Sequence, residues 1–174
     1  MEALSRVEKQ FILHWGEMSS RWGINRSMAQ IHALLFLSPD PLAADQIAGS
    51  LSIARSNVSS SLRELQAWGV VRVVHKLGDR RDHFETMEDA WEMFRVILEE
   101  RKRREVDPTV AMLEECVAQT PKEGDTEVYA RRRMKELLEL LRLISVWYEQ
   151  MEKLPVAIQK KVLKMGRKIQ KIAG

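Results

Sequence analysis

The amino-acid sequence predicts a mainly α-helical protein with one small β-hairpin, and three observations predict this class. Apolar residues recur at spacings of three and four along most of the chain, which is the period of an amphipathic helix. The 174 residues include only eight glycines and five prolines, so the chain is poor in turns. Residues 70–75 are the exception, because this β-branched run is typical of a strand and is followed by a turn and a second extended run.

Two helices are predicted before the first proline. The first runs from about residue 2 to residue 22 and has one apolar stripe that includes Phe11 and Trp15. The second runs from about residue 28 to residue 37, with Ser27 as its predicted N-cap and Pro39 at its end.

A compact run of short elements follows. We predict a helix at about 43–50, a tight turn, and a helix at about 54–68. Residues 70–75 and 82–86 are predicted to pair as strands around a turn at 77–81. This is the element order of a winged helix-turn-helix: helix, helix, turn, helix and hairpin. In such a motif, the second helix of the helix-turn-helix enters the DNA major groove.

The rest of the chain is predicted to be helical. One helix covers about 88–119, with a kink or break at Asp107-Pro108, and a linker follows at 121–125. A very apolar helix is predicted at 126–152, and a last helix begins at Pro155. Apolar residues in both of these helices recur at a coiled-coil spacing, which favours packing against another helix.

The net charge of +3 hides a segregation of charge along the chain. Residues 51–81 carry six arginines and lysines against two acids, and residues 153–174 carry seven against none. Such segregation favours contact with a polyanion. The basic C-terminal helix also fits an anionic membrane surface, but its spacing and lack of aromatic residues favour protein packing.

The predicted helix 54–68 has the composition of a DNA-reading helix. Its buried face is predicted to consist of Val58, Leu62 and Leu65, with Ala54 and Ser61 beside them. The opposite face is short, polar and hydrogen-bonding, which lets a helix backbone approach base edges. The alternative is a surface helix that happens to be rich in serine. The predicted DNA contacts of this helix are Arg55, Ser56, Asn57, Ser59, Ser60 and Arg63.

The hairpin is predicted to supply a second DNA contact. Arg80 and Arg81 lie at its turn, where they reach a minor groove or phosphates, and Asp79 and Asp82 flank them. A solubilising turn is the alternative, because Asp and Gly form turns for their own reasons. The predicted contacts of the hairpin are Lys76, Arg80 and Arg81.

Enzyme classes fit the sequence poorly. The four histidines are scattered, and we expect only His75 and His83 to face each other across the hairpin, which makes a poor metal site. Cys116 is the single cysteine and follows two glutamates, a setting unfavourable to a reactive thiolate. We therefore expect no catalytic residue, no cofactor and no metal. With no long apolar segment, we expect a cytoplasmic protein without membrane contact.

Five tryptophans raise the alternative of an aromatic cage for a quaternary ammonium ligand. Trp15, Trp22 and Trp91 fall on apolar helical stripes, so core packing is the favoured interpretation.

Two segments resemble a known family. Residues 48–59 look like the helix-turn-helix of MarR-type repressors. Residues 78–85, followed by Trp91-Glu92-Met93-Phe94, are similar to the GbsR branch, the glycine-betaine-synthesis repressor type. The resemblance implies a homodimeric transcriptional regulator whose N- and C-terminal helices form the dimer interface. Some relatives sense choline, but their ligand residues are not matched here, so choline sensing is not carried over.

This resemblance and the helical pattern together predict three regions. They are an N-terminal helix at 1–25 for dimerisation and core, a winged helix-turn-helix at 26–87, and a helical dimerisation region at 88–174. A dimer predicts a pseudo-palindromic operator, and a small-molecule effector is a further possible partner. A winged-helix protein-interaction module without DNA binding is the alternative function. The predicted dimerisation residues are Leu137, Leu141, Ile144, Tyr148, Ile158, Val162, Met165 and Ile169.

Overall fold

The computed structural model describes residues 4–120 and 125–169, and the chain divides into two compact units, Met1–Glu100 and Arg101–Gly174. The predicted region 26–87 lies within the first unit, and most of the predicted linker, residues 121–124, lies outside the described residues. Within the described part of the chain, no helix is long and apolar enough to cross a bilayer.

The first unit begins with two packed helices, α1 (Arg6–Arg21) and α2 (Arg26–Leu37). The prediction that Ser27 caps α2 is wrong, because the helix begins two residues earlier than predicted. The Asn25 carboxamide oxygen accepts from the backbone amides of Ser27 and Met28 at 2.9 and 3.2 Å. Gly16 allows the two helices to approach closely, since a Cβ there would lie 2.7 Å from Cγ of Gln30.

The elements that follow are β1 (Leu42–Ala43), α3 (Ala44–Leu51), α4 (Arg55–Ala67), β2 (Val71–His75) and β3 (Asp82–Thr86). The three strands form an antiparallel sheet in the order β1-β3-β2. The sequence did not predict β1, because two residues are too few for strand alternation to be seen. The fold class, mainly helical with a small hairpin in a winged helix-turn-helix order, is confirmed.

The core of the first unit lies between α2, α3, α4 and the sheet. Its most deeply buried large side chains include Met28, Ile31, Ile47, Leu62 and Val58. Trp15 packs partly buried against this core, as predicted, but the prediction for Trp22 is wrong: it is the C-cap of α1 and is 65% exposed. Helix α5 (Ala90–Arg101) follows the sheet.

The second unit contains a π-helical turn (Lys102–Val106), α6 (Asp107–Gln119), α7 (Asp125–Glu152) and α8 (Val156–Ile169). A kink or break was predicted at Asp107-Pro108, and the structure has this widened turn instead, which ends at Val106, two residues before the proline. Pro108 has no N–H to donate to the preceding turn, so a regular α-helical hydrogen-bond ladder cannot continue through it. Leu113 and Leu138 are buried between α6 and α7, and Arg142 pairs with Glu114 at 2.6 Å.

Candidate nucleic-acid interface

Helix α4 has an apolar inner face packed in the core, which orients its polar outer face. Val58, Leu62 and Leu65 are buried against the core, and Ser61 is buried beside them, as predicted. Ala54 is exposed instead of lying on this face, because it is the N-cap residue and precedes the first helical turn. Burial of this face therefore fixes the rotation of α4 about its own axis and leaves its other face exposed to solvent.

A tight turn sets the angle between α3 and α4. Ser52 adopts a left-handed conformation with φ of 53°, and the Ile53 amide donates to the Ala48 carbonyl at 3.1 Å. Ile53 itself packs against the core. This geometry closes α3 and lets α4 start in a new direction, which is what a helix-turn-helix requires.

The outer face of α4 contains every residue that the sequence predicted for it. Arg55 and Arg63 have no hydrogen-bond or ion-pair partner among the described residues, so both guanidinium groups are available to a ligand. The Ser60 hydroxyl donates to the Ser56 carbonyl at 3.0 Å and keeps its lone pairs outward. The exposed residues of this face are Arg55, Ser56, Asn57, Ser59, Ser60 and Arg63.

Asn57 differs from the other residues of this face because its carboxamide is already engaged. Its nitrogen donates to the Ser27 hydroxyl at 3.1 Å, and its oxygen accepts from the Ser61 hydroxyl at 3.4 Å. The contact with Ser27 ties α4 to the start of α2. The sequence pattern predicted a base-reading amide here and gave no sign of a partner 30 residues away.

The β2–β3 hairpin presents its arginines differently. Gly78 has φ of 84°, a conformation that glycine adopts without strain, and the Asp79 amide closes the turn on the Lys76 carbonyl at 3.1 Å. Arg80 is exposed and without a partner in the described part of the chain. The Lys76 ammonium donates to the Pro41 carbonyl at 3.1 Å, which links the hairpin to the segment before β1.

Arg81 is held by two carboxylates. Its Nη2 lies 2.7 Å from Asp79 Oδ2, and its Nη1 lies 2.9 Å from Asp45 Oδ2 on α3. The Arg81 hydrogen bonds hold the pKa of the Asp79 carboxyl well below its usual range, and Asp79 raises the pKa of Arg81 in return. His83 is buried beneath the pair, with Nδ1 3.0 Å from the Arg81 carbonyl and Nε2 3.4 Å from Asp79 Oδ2. Arg81 therefore joins the hairpin to α3.

The two hairpin histidines do not face each other, so that expectation is wrong. In the strand register His75 pairs with Asp82, and His83 pairs with Val74, which puts the two rings on opposite faces of the hairpin. Within the described residues, no group of three or more histidine, cysteine, aspartate or glutamate side chains is arranged to hold a metal ion.

A groove of about 630 Å³ lies in the first unit beside the ends of β2 and β3. Five acids, Asp40, Glu85, Glu88, Asp89 and Glu92, line it together with Arg72. No aromatic side chain is among its lining residues, so it lacks the ring faces that an aromatic cage needs.

The apolar seam predicted for dimerisation is largely uncovered within the second unit. Leu137, Ile144, Ile158 and Met165 are between 42% and 48% exposed. Leu141, Tyr148 and Val162 are half-buried, and the side chain of Ile169 lies outside the described residues. Exposed apolar residues grouped in this way are typical of an interaction surface.

A fixed polar helix beside a cationic hairpin, built on this order of elements, defines a winged helix-turn-helix protein. Residues 22–82 match the sequence model of the MarR family, which confirms the predicted resemblance. The chain is similar to the HTH-type transcriptional repressor GbsR of Bacillus subtilis (strain 168), at 22% identity over 146 residues, 82% of this chain and 81% of that protein.

Similarity to solved structures extends over most of the chain. A crystal structure of a transcriptional regulator has the same fold, with a TM-score of 0.61 at 19% identity, over 82% of this chain and 93% of that one. A mutant of Staphylococcus aureus MepR bound to an oligodeoxyribonucleotide aligns more loosely, with a TM-score of 0.39 at 19% identity, over 76% of this chain and 89% of that chain.

Proposed function

We propose that this chain is a sequence-specific, double-stranded-DNA-binding transcriptional repressor that acts as a homodimer in the cytoplasm. The observation that carries the proposal is the outer face of α4, where short polar side chains surround the unpartnered Arg63. Short side chains let the helix enter a major groove, and a guanidinium there donates two hydrogen bonds to guanine. The similarity to GbsR, which is named a repressor, supports the direction of regulation.

The hairpin takes a supporting part in this proposal. Arg80 contacts the DNA backbone or the minor groove, since its guanidinium is exposed. Arg81 and Lys76 hold the hairpin in place through Asp45 and the Pro41 carbonyl, and they add positive charge near the phosphates. In this assignment Arg80 contacts DNA, and Arg81 positions the hairpin.

The dimer follows from the exposed seam of α7 and α8. A second copy that covers Leu137, Ile144, Ile158 and Met165 removes their apolar surface from water, at roughly 25 cal/mol for each Å². A two-fold dimer then presents two copies of α4 to half-sites about one DNA turn apart, so the operator is pseudo-palindromic.

A small-molecule effector is the last part of the proposal. Isothermal titration with choline and with betaine, paired with operator affinity at saturating ligand, tests the two compounds. We expect heat of binding and a lowered operator affinity for an effector. A compound that gives neither heat of binding nor a change in operator affinity is excluded as the effector.

An electrophoretic shift with the DNA upstream of the protein's own coding sequence tests the function. We expect a shift that a scrambled duplex of the same length does not compete away. The double variant Ser56→Leu and Ser60→Leu is expected to abolish it, because bulky side chains keep α4 out of the groove without changing its charge. Gln10→Leu, at an exposed position of α1, is the matched control and should bind normally.

A protein-interaction module with the same fold is the competing function. It predicts no shift with any upstream duplex, even at low salt where phosphate contacts are strongest. That result overturns the proposal.

A further inference from the structure

Helix α8 separates its charged and apolar residues into two arcs. At 3.6 residues per turn, Lys160, Lys161 and Lys164 fall within an arc of about 100°. Ile158, Val162 and Met165 occupy an adjacent arc, whose centre lies about 120° around the helix from that of the lysines. All three lysines are exposed, and the sequence has no acid from Lys153 to the last residue.

Contacts with α7 fix which way the lysines point. The Gln159 side chain is buried, and its amide nitrogen donates to the Leu154 carbonyl at 2.7 Å and to the Glu152 carbonyl at 3.3 Å. Gln159 therefore caps the end of α7. The centre of the lysine arc lies about 150° around the helix from Gln159, so it is directed away from α7.

Some basic residues of the second unit are paired with acids. Lys102 lies 2.8 Å from Asp107 and 3.2 Å from Glu149, and Arg133 lies 2.6 Å from Glu136. No carboxylate pairs with Lys161 or Lys164 among the residues that the structure describes. Like charges three or four residues apart destabilise a helix, at about 0.2–0.5 kcal/mol for each pair. A polyanion bound to this arc relieves that repulsion.

We propose that the exposed lysine arc of α8 is a second DNA-binding surface, which contacts the phosphate backbone without reading sequence. The inference rests on the proposed function, because that function supplies the duplex. It goes beyond that function because it gives a helix outside the winged helix-turn-helix a role in sequence-independent DNA affinity.

A duplex fits this surface better than a membrane does. Interfacial helices usually insert aromatic residues, and α8 has none. Part of the apolar side of α8 is also used within the unit, since Gln159 is buried and Val162 is half-buried. Lysine ammonium groups bind phosphates as point charges, which suits a contact that does not depend on sequence.

The test is a salt series with the full-length triple variant Lys160→Gln, Lys161→Gln and Lys164→Gln, on an operator duplex and on a random duplex. Glutamine keeps helix propensity, and circular dichroism checks the fold. The matched control, Arg6→Gln, Lys9→Gln and Arg21→Gln, removes the same charge from exposed positions of α1.

Three phosphate contacts contribute about 2.7 to the slope of log affinity against log salt. With the arc of one copy on the duplex, we therefore expect the triple variant to lose about forty-fold less affinity than wild type between 50 and 200 mM salt, on both duplexes alike, and a larger difference with both arcs of the dimer bound. The control should keep the wild-type slope. An unchanged slope in the triple variant overturns the inference. So does wild-type binding to phosphatidylserine vesicles that the triple variant loses while its DNA slope is unchanged. Failure of wild type to bind any duplex overturns the proposed function instead.

Discussion

At the scale of single residues, two arginines of the candidate interface have different surroundings. Arg63 projects from α4 without a partner in the described part of the chain, whereas Arg81 is held between Asp79 and Asp45. An unpaired guanidinium is available for base edges, and a doubly paired one is committed to holding a loop. Substitutions of these two residues should therefore affect DNA binding in different ways.

Arg63→Ala is expected to weaken operator binding by about 1–3 kcal/mol and to relax the preference at one base position, because a bidentate contact with guanine is lost. Fluorescence anisotropy with operator variants measures both effects. Arg6→Ala, an exposed cation of α1, is the control. An equal loss on operator and random DNA contradicts a base-reading role for Arg63.

Asp45→Asn is expected to weaken operator binding by about two- to fivefold, since exposed ion pairs of this kind are worth about 0–1 kcal/mol and position the hairpin. The sign is diagnostic. Removal of a negative charge ordinarily strengthens binding to DNA, and Asp40→Asn, an exposed acid without this ion pair, should do that. Tighter binding by Asp45→Asn argues against the link from Arg81 to α3.

His32 gives a prediction about pH. Burial lowers the pKa of His32 to about 4, and its Nε2 lies 3.2 Å from the Thr86 hydroxyl, which in turn donates to the Val70 carbonyl at 2.8 Å. The ring therefore donates to Thr86 and stays neutral. Between pH 6.5 and 4 the unfolded chain binds a proton that the native state does not, so stability falls as the pH is lowered across this window.

The expected loss from His32 is about 3 kcal/mol of unfolding free energy between pH 7 and pH 4, at 1.36 kcal/mol per pKa unit. Urea unfolding at a series of pH values measures it. His32→Gln should flatten this dependence, and His14→Gln, at an exposed position of α1, should leave it as in wild type. The same slope in His32→Gln contradicts the buried neutral ring.

At the scale of elements, the turn between α3 and α4 carries the strain of the motif. Ser52 has φ of 53°, which costs a non-glycine residue roughly 1–2 kcal/mol. Ser52→Gly should raise or preserve the unfolding temperature, and Ser52→Val should lower it, because a β-branched residue tolerates this conformation least. Thermal unfolding of the two variants checks the prediction. Equal stability of the two variants contradicts it.

The elements also show how far sequence reasoning reaches. The helices and the hairpin were predicted because each is long enough to display a period, and α4 ends at Ala67, one residue before its predicted end. The strand β1 has two residues and no period, so it was missed. The ion pair of Arg81 with Asp45 and the hydrogen bond of Asn57 with Ser27 join residues 36 and 30 positions apart. Such partners depend on how elements pack, which local pattern does not encode.

At the scale of the whole molecule, recognition of a pseudo-palindromic operator needs two copies of the chain. The seam predicted from spacing is largely exposed within the second unit, and α4, the helix proposed to read DNA, belongs to the first. In the proposed dimer, the two copies of α4 would contact a pseudo-palindrome together, so we expect separation of the copies to remove most of the affinity.

Leu137→Glu with Ile144→Glu is expected to convert the dimer into a monomer and to weaken operator binding at least about a hundredfold, because charged residues are depleted from interface cores. Light scattering after size-exclusion chromatography gives the mass. Met112→Glu, a half-exposed apolar position of α6, is the control and should remain dimeric. A dimer that persists in the double variant removes the seam of α7 from the interface.

The most direct test of the central claim is the ratio of affinities for the protein's own upstream duplex and for a scrambled duplex, measured by equilibrium titration at about 150 mM salt. Sequence reading by α4 predicts a ratio of about 10³ or more for wild type, and a much smaller ratio for Arg63→Ala. Equal affinity of the wild-type protein for the two duplexes contradicts the account.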